Sequence, residues 1–548
     1  MIKSYITDLK REFIGYDGDK LKKDLLAGLT VTAVALPLAL AFGVGSGVSA
    51  AAGLITAILS GLIIGTLSGA SYQVSGPTGA MTAILLVLAQ KYGVNGIWLA
   101  GAMSGLILIA AGLLKLGKII AFIPAPVITG FTSGIALIIA IGQVDNFLGI
   151  SSAQAESAAM KFIGYFQTGI APNWSALLIG CLVIATMLLW PKKWGAVVPS
   201  SLVGLVLALG INLVWELPVA VIGEIPQALL LDSRLSIDSL RLVDLRGLVV
   251  PALSIASLGM IEGLLCGEVG SKMKGEKFNP NRELVAQGIG NFIIPFFGGV
   301  PSTAAIARTS VAIKSGAQTR LVSVFHAGGL LISMFLLAPL MSQIPLAALA
   351  GVLMVTAWRM NEWESIKSMF RHRFLSSISM FLITMVATVI FDLTQAIIIG
   401  VAFASVLFLI KISDMEISVH EVDEKRLAEK CGAMANKQLN QIRVIYFTGP
   451  LFFASVQKLN KALSQLEDGC VLILSMRGVP LVDTSGLLAL ADIHSQLAQR
   501  DCPLMLCGLQ PRVAEMLKRS KLLDSIGEDM VFWSADQAIL AAQNLLLA

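Results

Sequence analysis

Two stretches of this sequence join chemically useful residues to a spacing that a plain membrane helix would not have. "VSGPTGAMTAILLVLAQ" runs from Val74 to Gln90, and "GGVPSTAAIARTSVAI" from Gly298 to Ile313. Both open with Gly and Pro and continue with Ser or Thr and alanines. Both are too short to cross a hydrocarbon core of about 30 Å at about 1.5 Å per residue. A helix that starts inside a membrane presents unpaired N–H groups and about half a positive charge at its N-terminus, which suits an anion. Pro77 and Pro301 are expected in the first helical turn, where proline costs least. Ser75, Thr78, Ser302 and Thr303 offer hydroxyl donors. Arg308, expected about two turns into the second half-helix, supplies a full charge. Alone in lipid it would cost roughly 2.5–3.5 kcal/mol on insertion scales, and a bound anion or a carboxylate would offset that. Taken singly, each stretch also reads as a packing kink, with small residues for close helix approach.

A carboxylate belongs to the same chemistry. Glu262 sits in the middle of "ASLGMIEGLLCGEVGSK", Ala256–Lys272. Two readings stand side by side: it takes up a proton as substrate binds or the protein turns over, or it forms a fixed ion pair with Arg308 that locks helix packing. Glu268, near Lys272 and Lys274, is expected to snorkel or pair at the membrane edge. Gly263 and Gly267 form a small-xxx-small pair for packing. In "ALPLALAFG" (Ala35–Gly43), Pro37 and Phe42 line a cavity or merely kink the helix. His326, alone in an apolar run, reads as packing, with a proton relay as the sharper alternative.

The elements that must position these residues are membrane helices. Of 548 residues, 56% are hydrophobic and 14% charged, against about a quarter charged in soluble domains. Apolar runs recur between residues 25 and 411 at helical rather than barrel-strand length. Fourteen segments are expected, several of them short. Loops after even-numbered segments carry Lys115 and Lys118, Lys192 and Lys193, Lys272 to Arg282, Lys314 and Arg320, and Arg371 and Arg373. Loops after odd-numbered ones carry Asp145, Glu156, Glu216, Glu224, Asp232, Asp238 and Asp244. The positive-inside rule then makes both termini cytoplasmic. The uncharged "SGASYQ" loop is expected to be tucked into the protein. The broken segments are the third and the tenth. Seven is odd, so the two halves are inverted, and paired interrupted segments in inverted halves point to a transporter's binding site.

Residues 1–24 read as a cytoplasmic N-terminal segment without a cleavable signal, 25–411 as the transmembrane domain and 412–440 as a charged linker. Residues 441–548 alternate strand and helix, a small α/β domain. There "VPLVDTSG" (Val479–Gly486) ends in helix-capping residues, with Ser485 as an alternative regulatory phosphorylation or partner-binding point. The six cysteines, Cys181, Cys266, Cys431, Cys470, Cys502 and Cys507, show no CxxC and no metal spacing. No metal, cofactor or nucleophile–base pair is expected, so the chain does not read as an enzyme. The net charge of +5 is explained by loop lysines and arginines and calls for no nucleic acid.

"VSGPTGAMTAILL", "MIEGLLC", "NRELVAQGIGNFIIPFFGGVPSTAAIARTSVAIKSGAQTR" and the C-terminal "VDTSG" together resemble the SulP anion transporters with a STAS domain. The resemblance spans essentially the whole chain. It implies fourteen transmembrane segments as a seven-plus-seven inverted repeat. A core (25–114 and 247–340) would move as an elevator against a gate (119–215 and 344–411), in a homodimer. It implies a bacterial cytoplasmic (inner) membrane setting. Family substrates include sulfate, bicarbonate, chloride and dicarboxylates such as fumarate or succinate, co-transported with H+ or Na+. Substrate positions carry over to Ser75, Gly76, Thr78, Ala304, Ala305 and Arg308, and the coupling acid to Glu262. Sodium-coupled bicarbonate relatives place Asp at Glu262 and a hydroxyl residue at Cys266, and these departures favour H+. The expected activity is proton-coupled symport of sulfate or a related oxyanion. A bicarbonate or dicarboxylate carrier and an uncoupled anion channel are the alternatives. The STAS-like domain resembles anti-sigma-factor antagonists, whose motif Ser is phosphorylated, and implies a regulatory module with a cytoplasmic protein partner.

Overall fold

The computed structural model describes residues 2–118, 123–152, 158–168, 171–191, 194, 198–236, 245–391, 393–413, 416–421, 441–463 and 470–547. Cys431 and most of the expected linker lie outside them, as do Glu156, Lys192, Lys193, Asp238 and Asp244. The chain divides into two compact units, Met1–Ala402 and Phe403–Ala548.

The first unit is helical because its apolar runs must satisfy their own backbone. Its elements are α1 (Ile2–Glu12), α2 (Gly18–Gly45), α3 (Ala50–Leu67), the two-residue strand β1 (Ser75–Gly76), α4 (Gly79–Leu113), α5 (Ala125–Gly142), α6 (Val144–Leu148), α7 (Ala158–Thr168), α8 (Trp174–Leu189) and α9 (Ser200–Trp215). Then follow α10 (Leu245–Lys274), α11 (Pro280–Ile293), strand β2 (Thr303–Ala304), α12 (Ile306–Lys314), α13 (Leu321–Met341), α14 (Leu346–Met360), α15 (Trp363–Arg371), α16 (Leu375–Ile390) and α17 (Leu393–Ile412), within which the boundary of the unit falls. Gly93, at φ 66°, interrupts α4 and divides it into the expected third and fourth segments. With that division the described residues account for all fourteen segments. Among the described residues, seven helices are long and apolar enough to span by themselves, and four further apolar helices are shorter.

The helices gather in two groups. Helix α4 packs on α10 and α11, α13 on α2 and α3, and α12 on α2 and α10. Separately, α5 packs on α16 and α14, and α8 on α14 and α9. The "SGASYQ" loop is buried throughout. Tyr72 donates to the Gly267 carbonyl at 3.0 Å and Gln73 Nε2 to the Gly263 carbonyl at 2.8 Å. Gly263 and Gly267 do serve packing: the Gln287 amide and the Phe278 ring occupy the space where their side chains would be.

The second unit holds a five-stranded sheet in the order β3 (Glu416–Glu421), β4 (Ile442–Thr448), β5 (Val471–Gly478), β6 (Leu504–Cys507), β7 (Val531–Phe532). The first pair is antiparallel and the rest parallel. Strand period two sends Ile442, Val444, Val471 and Ile473 to one face, and Ile445, Phe447, Leu472 and Leu474 to the other. The helices are α18 (Val456–Leu463), α19 (Thr484–Ala498), α20 (Pro511–Arg519), α21 (Leu522–Ile526) and α22 (Ala535–Leu547). "EISVHE", assigned by sequence to the linker, is edge strand β3. Its alternation is masked by charge, and only pairing with β4 reveals it.

Candidate functional site

The site begins at the two breaks. Ser75 and Gly76 pair antiparallel with Ala304 and Thr303, so two chain segments remote in sequence form a two-residue ribbon. Helices α4 and α12 leave this ribbon from opposite ends, as antiparallel pairing requires, and their N-termini flank it from either side as the inverted reading expects. Ala305 N–H donates to the Val74 carbonyl at 3.1 Å and closes the ribbon. Because these residues are extended, both helices start later than expected. Pro77 precedes the cap of α4, and Pro301 lies upstream of β2, so neither is in a first turn. For the same reason Arg308 is not two turns into α12. It is the third residue of that helix.

The two N-termini differ. Thr78 caps α4, its hydroxyl accepting from Met81 N–H at 3.3 Å. The same hydroxyl donates to Glu262 Oε2 at 2.9 Å, which ties the coupling-acid candidate of α10 to the start of α4. Helix α12 has Ala305 at its N-cap position and no side-chain cap, so its first N–H groups are left for something else.

Arg308 is 1% exposed. Its Nη2 donates to the Pro77 carbonyl, and its Nη1 is buried without a hydrogen-bond partner. No ion pair joins Arg308 to Glu262, so the fixed-lock reading of the two is corrected. Thr78 and Pro77 hold the two charges in place of each other. Gly76 makes the arrangement possible, because a Cβ there would overlap the Arg308 guanidinium. The buried Ser75 hydroxyl likewise has no partner. A buried guanidinium N–H and a buried hydroxyl left unmade are costly, and an anion accepting from both would remove that cost.

Other expected residues fall into place differently. Ser302 is fully buried, its backbone N–H and hydroxyl both donating to Asn291 Oδ1 at 2.8 and 3.2 Å. The Thr303 hydroxyl donates to the Gly259 carbonyl at 3.3 Å. These two hydroxyls hold the ribbon rather than standing free as donors. Ala304 is in the ribbon, and Ala305 is partly buried beside the open α12 terminus. Phe42 is buried against the start of α4: a Cβ on Gly79 would lie 2.9 Å from Ile139 Cδ1, 3.0 Å from Met360 Sδ and 3.4 Å from Phe42 Cε1. Pro37 lies within a continuous α2. His326 is fully buried; its backbone carbonyl accepts from the Thr32 hydroxyl at 3.1 Å, and its Nε2 has no partner. Cys266 Sγ donates to Thr309 Oγ1 at 3.2 Å, and Thr309 Oγ1 accepts from Val74 N–H at 3.1 Å. Glu268 pairs with Lys272, 3.8 Å apart and exposed. In the second unit Asp483, not Ser485, caps α19, accepting from Gly486 N–H at 2.8 Å. Ser485 is the next residue but one, partly buried.

Sequence reasoning also missed buried charges that tie the ends of segments together. Asp24 accepts from Gln318 and Thr319 backbone N–H groups at 2.6 and 3.1 Å and from the Thr319 hydroxyl at 2.6 Å. Glu283 accepts from the Ser68 hydroxyl at 2.6 Å and Gly69 N–H at 3.0 Å. Arg320, counted above as a loop charge, is 4% exposed and paired to Glu12 at 2.7 Å. All three sit at segment ends, where charge reads as topology and nothing local signals burial.

Comparison with known proteins agrees with this architecture. The sulfate permease family model matches residues 21–387, and the STAS domain model matches 433–538. YvdB of Bacillus subtilis (strain 168), named for sulfate transport, is 35% identical over 96% of this chain and 98% of its own. The bicarbonate transporter BicA of Picosynechococcus is 28% identical over 95% of this chain and 94% of its own. Among solved structures, SLC26A9 superposes with TM-score 0.81 at 18% identity, covering 97% of this chain and 92% of that one. The transmembrane domain of a cyanobacterial BicA superposes with TM-score 0.64 at 29% identity, covering 71% of this chain and 98% of that one. Fold, paired half-helices and family matches converge: the chain belongs to the sulfate permease family, as a multi-pass membrane anion transporter, not an enzyme, that carries a C-terminal STAS domain.

Proposed function

We propose that the protein is a secondary active carrier that brings sulfate or a related oxyanion into the cell together with H+. One observation carries the reading: a fully buried arginine, with no carboxylate partner and a free Nη1, stands where two half-helix N-termini meet. The anion accepts from Arg308 Nη1, the Ser75 hydroxyl and the open N–H groups of α12. Gly76, Thr78, Ala304 and Ala305 shape the floor of the site, and Phe42 forms part of its apolar wall. Glu262 is the coupling acid. As a carboxylate it repels an incoming dianion in the same low-dielectric space, and protonation removes that repulsion. Anion and proton therefore enter together and leave together. Transport is by an elevator: the group of helices holding the site (25–114 and 247–340) slides against the other group (119–215 and 344–411), whose Ile139 and Met360 face the start of α4. The working unit is a homodimer in a bacterial cytoplasmic membrane, with both termini in the cytoplasm. The STAS domain serves a cytoplasmic protein partner, with Ser485 as the regulatory point.

The names of the relatives favour two substrates, sulfate for YvdB and bicarbonate for BicA. The test is uptake of labelled sulfate into proteoliposomes with and without an inward proton gradient, with bicarbonate, fumarate and chloride as competitors. Gradient-driven sulfate uptake is expected. Flux of a competitor without sulfate flux would reassign the substrate, and conductance indifferent to the gradient would replace the carrier with a channel.

A further inference from the structure

Helix α15 and the turn after it are not used by any step above, yet their composition is unlike that of a plain connector. The helix joins α14 to α16. It is fastened to neighbouring spans by specific bonds: Glu362, just before it, accepts from the Thr129 hydroxyl of α5 at 2.9 Å, and Arg359 Nη2 donates to the Met187 carbonyl of α8 at 2.7 Å. Met369 is its buried residue. The Trp358 and Trp363 rings lie 4.4 Å apart, and Trp363 Nε1 donates to the Trp358 carbonyl at 3.0 Å. Its placement is thus fixed.

On this fixed platform Lys367 and Arg371 stand one turn apart, and Arg373 follows in a left-handed turn at φ 52°. All three are exposed, and among the described residues none of them is in an ion pair. Large apolar side chains flank them: Trp358 is 60% exposed and Phe374 55%. Both lie where a span ends or begins, Trp358 in the last turn of α14 and Phe374 immediately before α16. Side chains at that depth meet the boundary between hydrocarbon and headgroups. Exposed aromatics there with unpaired cations beside them fit one surface, apolar below and anionic above.

We propose that Lys367, Arg371 and Arg373, with Trp358 and Phe374 inserted beside them, form a binding surface for the anionic headgroups of the surrounding lipid leaflet. The contact anchors α14, α15 and α16 to the bilayer. It is independent of which anion the protein carries. The ligand is the lipid itself rather than a soluble phosphate, because the aromatic residues abut the spans themselves.

The full-length protein purified in a neutral detergent is titrated with phosphatidylglycerol, phosphatidylcholine or free glycerol phosphate while its thermal midpoint is followed. Phosphatidylglycerol is expected to raise the midpoint, and the other two are not. Each cation removed is expected to weaken the response by roughly fivefold, so a Lys367→Gln, Arg371→Gln, Arg373→Gln triple variant should lose it. Native mass spectrometry gives a second reading should that variant start from a lower midpoint: its phosphatidylglycerol adducts should fall while phosphatidylcholine adducts stay unchanged. A wild-type response that is equal for both lipids would overturn the proposal, as would a triple variant that retains phosphatidylglycerol like the parent.

Discussion

At the scale of single residues, the site depends on what is missing as much as on what is present. Gly76 has no side chain, and the Arg308 guanidinium occupies that space. Gly76→Ala is expected to push the guanidinium out of place at about 1–3 kcal/mol, the usual cost of overpacking. Uptake should fall sharply, while solubilised protein still runs as a folded species on size exclusion. Arg308→Ala should be more severe. Truncating one partner of a buried charge pair costs about 2–5 kcal/mol, so anion affinity should drop at least about 30-fold. Binding measured by calorimetry checks this, and wild-type affinity in that variant would sink the site assignment. The residue types were legible in sequence. Which hydroxyls are free was not, because Ser302 and Thr303 spend theirs on Asn291 and Gly259, partners that no local pattern reveals.

At the scale of elements, the ribbon of β1 and β2 sets the start of both half-helices, and α1 ties together the ends of α3, α11 and α13. Asp8 of α1 pairs with Arg282 at 2.6 Å and Glu12 with Arg320 at 2.7 Å. Arg320 also donates to the Thr66 carbonyl at the end of α3, and the Tyr5 ring lies beneath both guanidinium groups at 5.6 and 5.3 Å. An N-terminal helix that sequence marks only as polar and basic is therefore a clasp over α3, α11 and α13. Glu12→Gln leaves a nearly buried arginine without its counter-charge, at a cost of roughly 3 kcal/mol. A clear fall in thermal midpoint is expected for the purified protein, and an unchanged midpoint would show the clasp to be dispensable.

At the scale of the whole molecule, the proposed coupling requires Glu262 to share a site with the anion while it is held by Thr78. Glu262→Gln fixes the neutral form and keeps a hydrogen-bonding partner for Thr78. Uptake by this variant is expected to become indifferent to an inward proton gradient, falling to the rate that the parent shows without one. Exchange of labelled for unlabelled anion should persist. Retained gradient dependence would move the coupling site elsewhere, with fully buried His326 and its unpartnered Nε2 next to be tested. In the proposed cycle, acid outside would protonate Glu262 and admit the anion, and the less acid inside would release both.

Several things were fixed by sequence alone. Hydrophobic run length made the chain a polytopic helical membrane protein, since membranes admit little else. Gly-Pro breaks seven segments apart singled out the two stretches that pair in the ribbon, and strand–helix alternation marked the C-terminal domain. Tertiary structure decided the rest. It set where each half-helix begins, because pairing Ser75–Gly76 with Thr303–Ala304 removes residues from both helices. It separated Arg308 from Glu262, because Pro77 and Thr78 take one charge each. It turned "EISVHE" into an edge strand and Arg320 into a buried anchor. Each of these is settled by a partner hundreds or tens of residues away, and such contacts leave no periodic trace in the sequence.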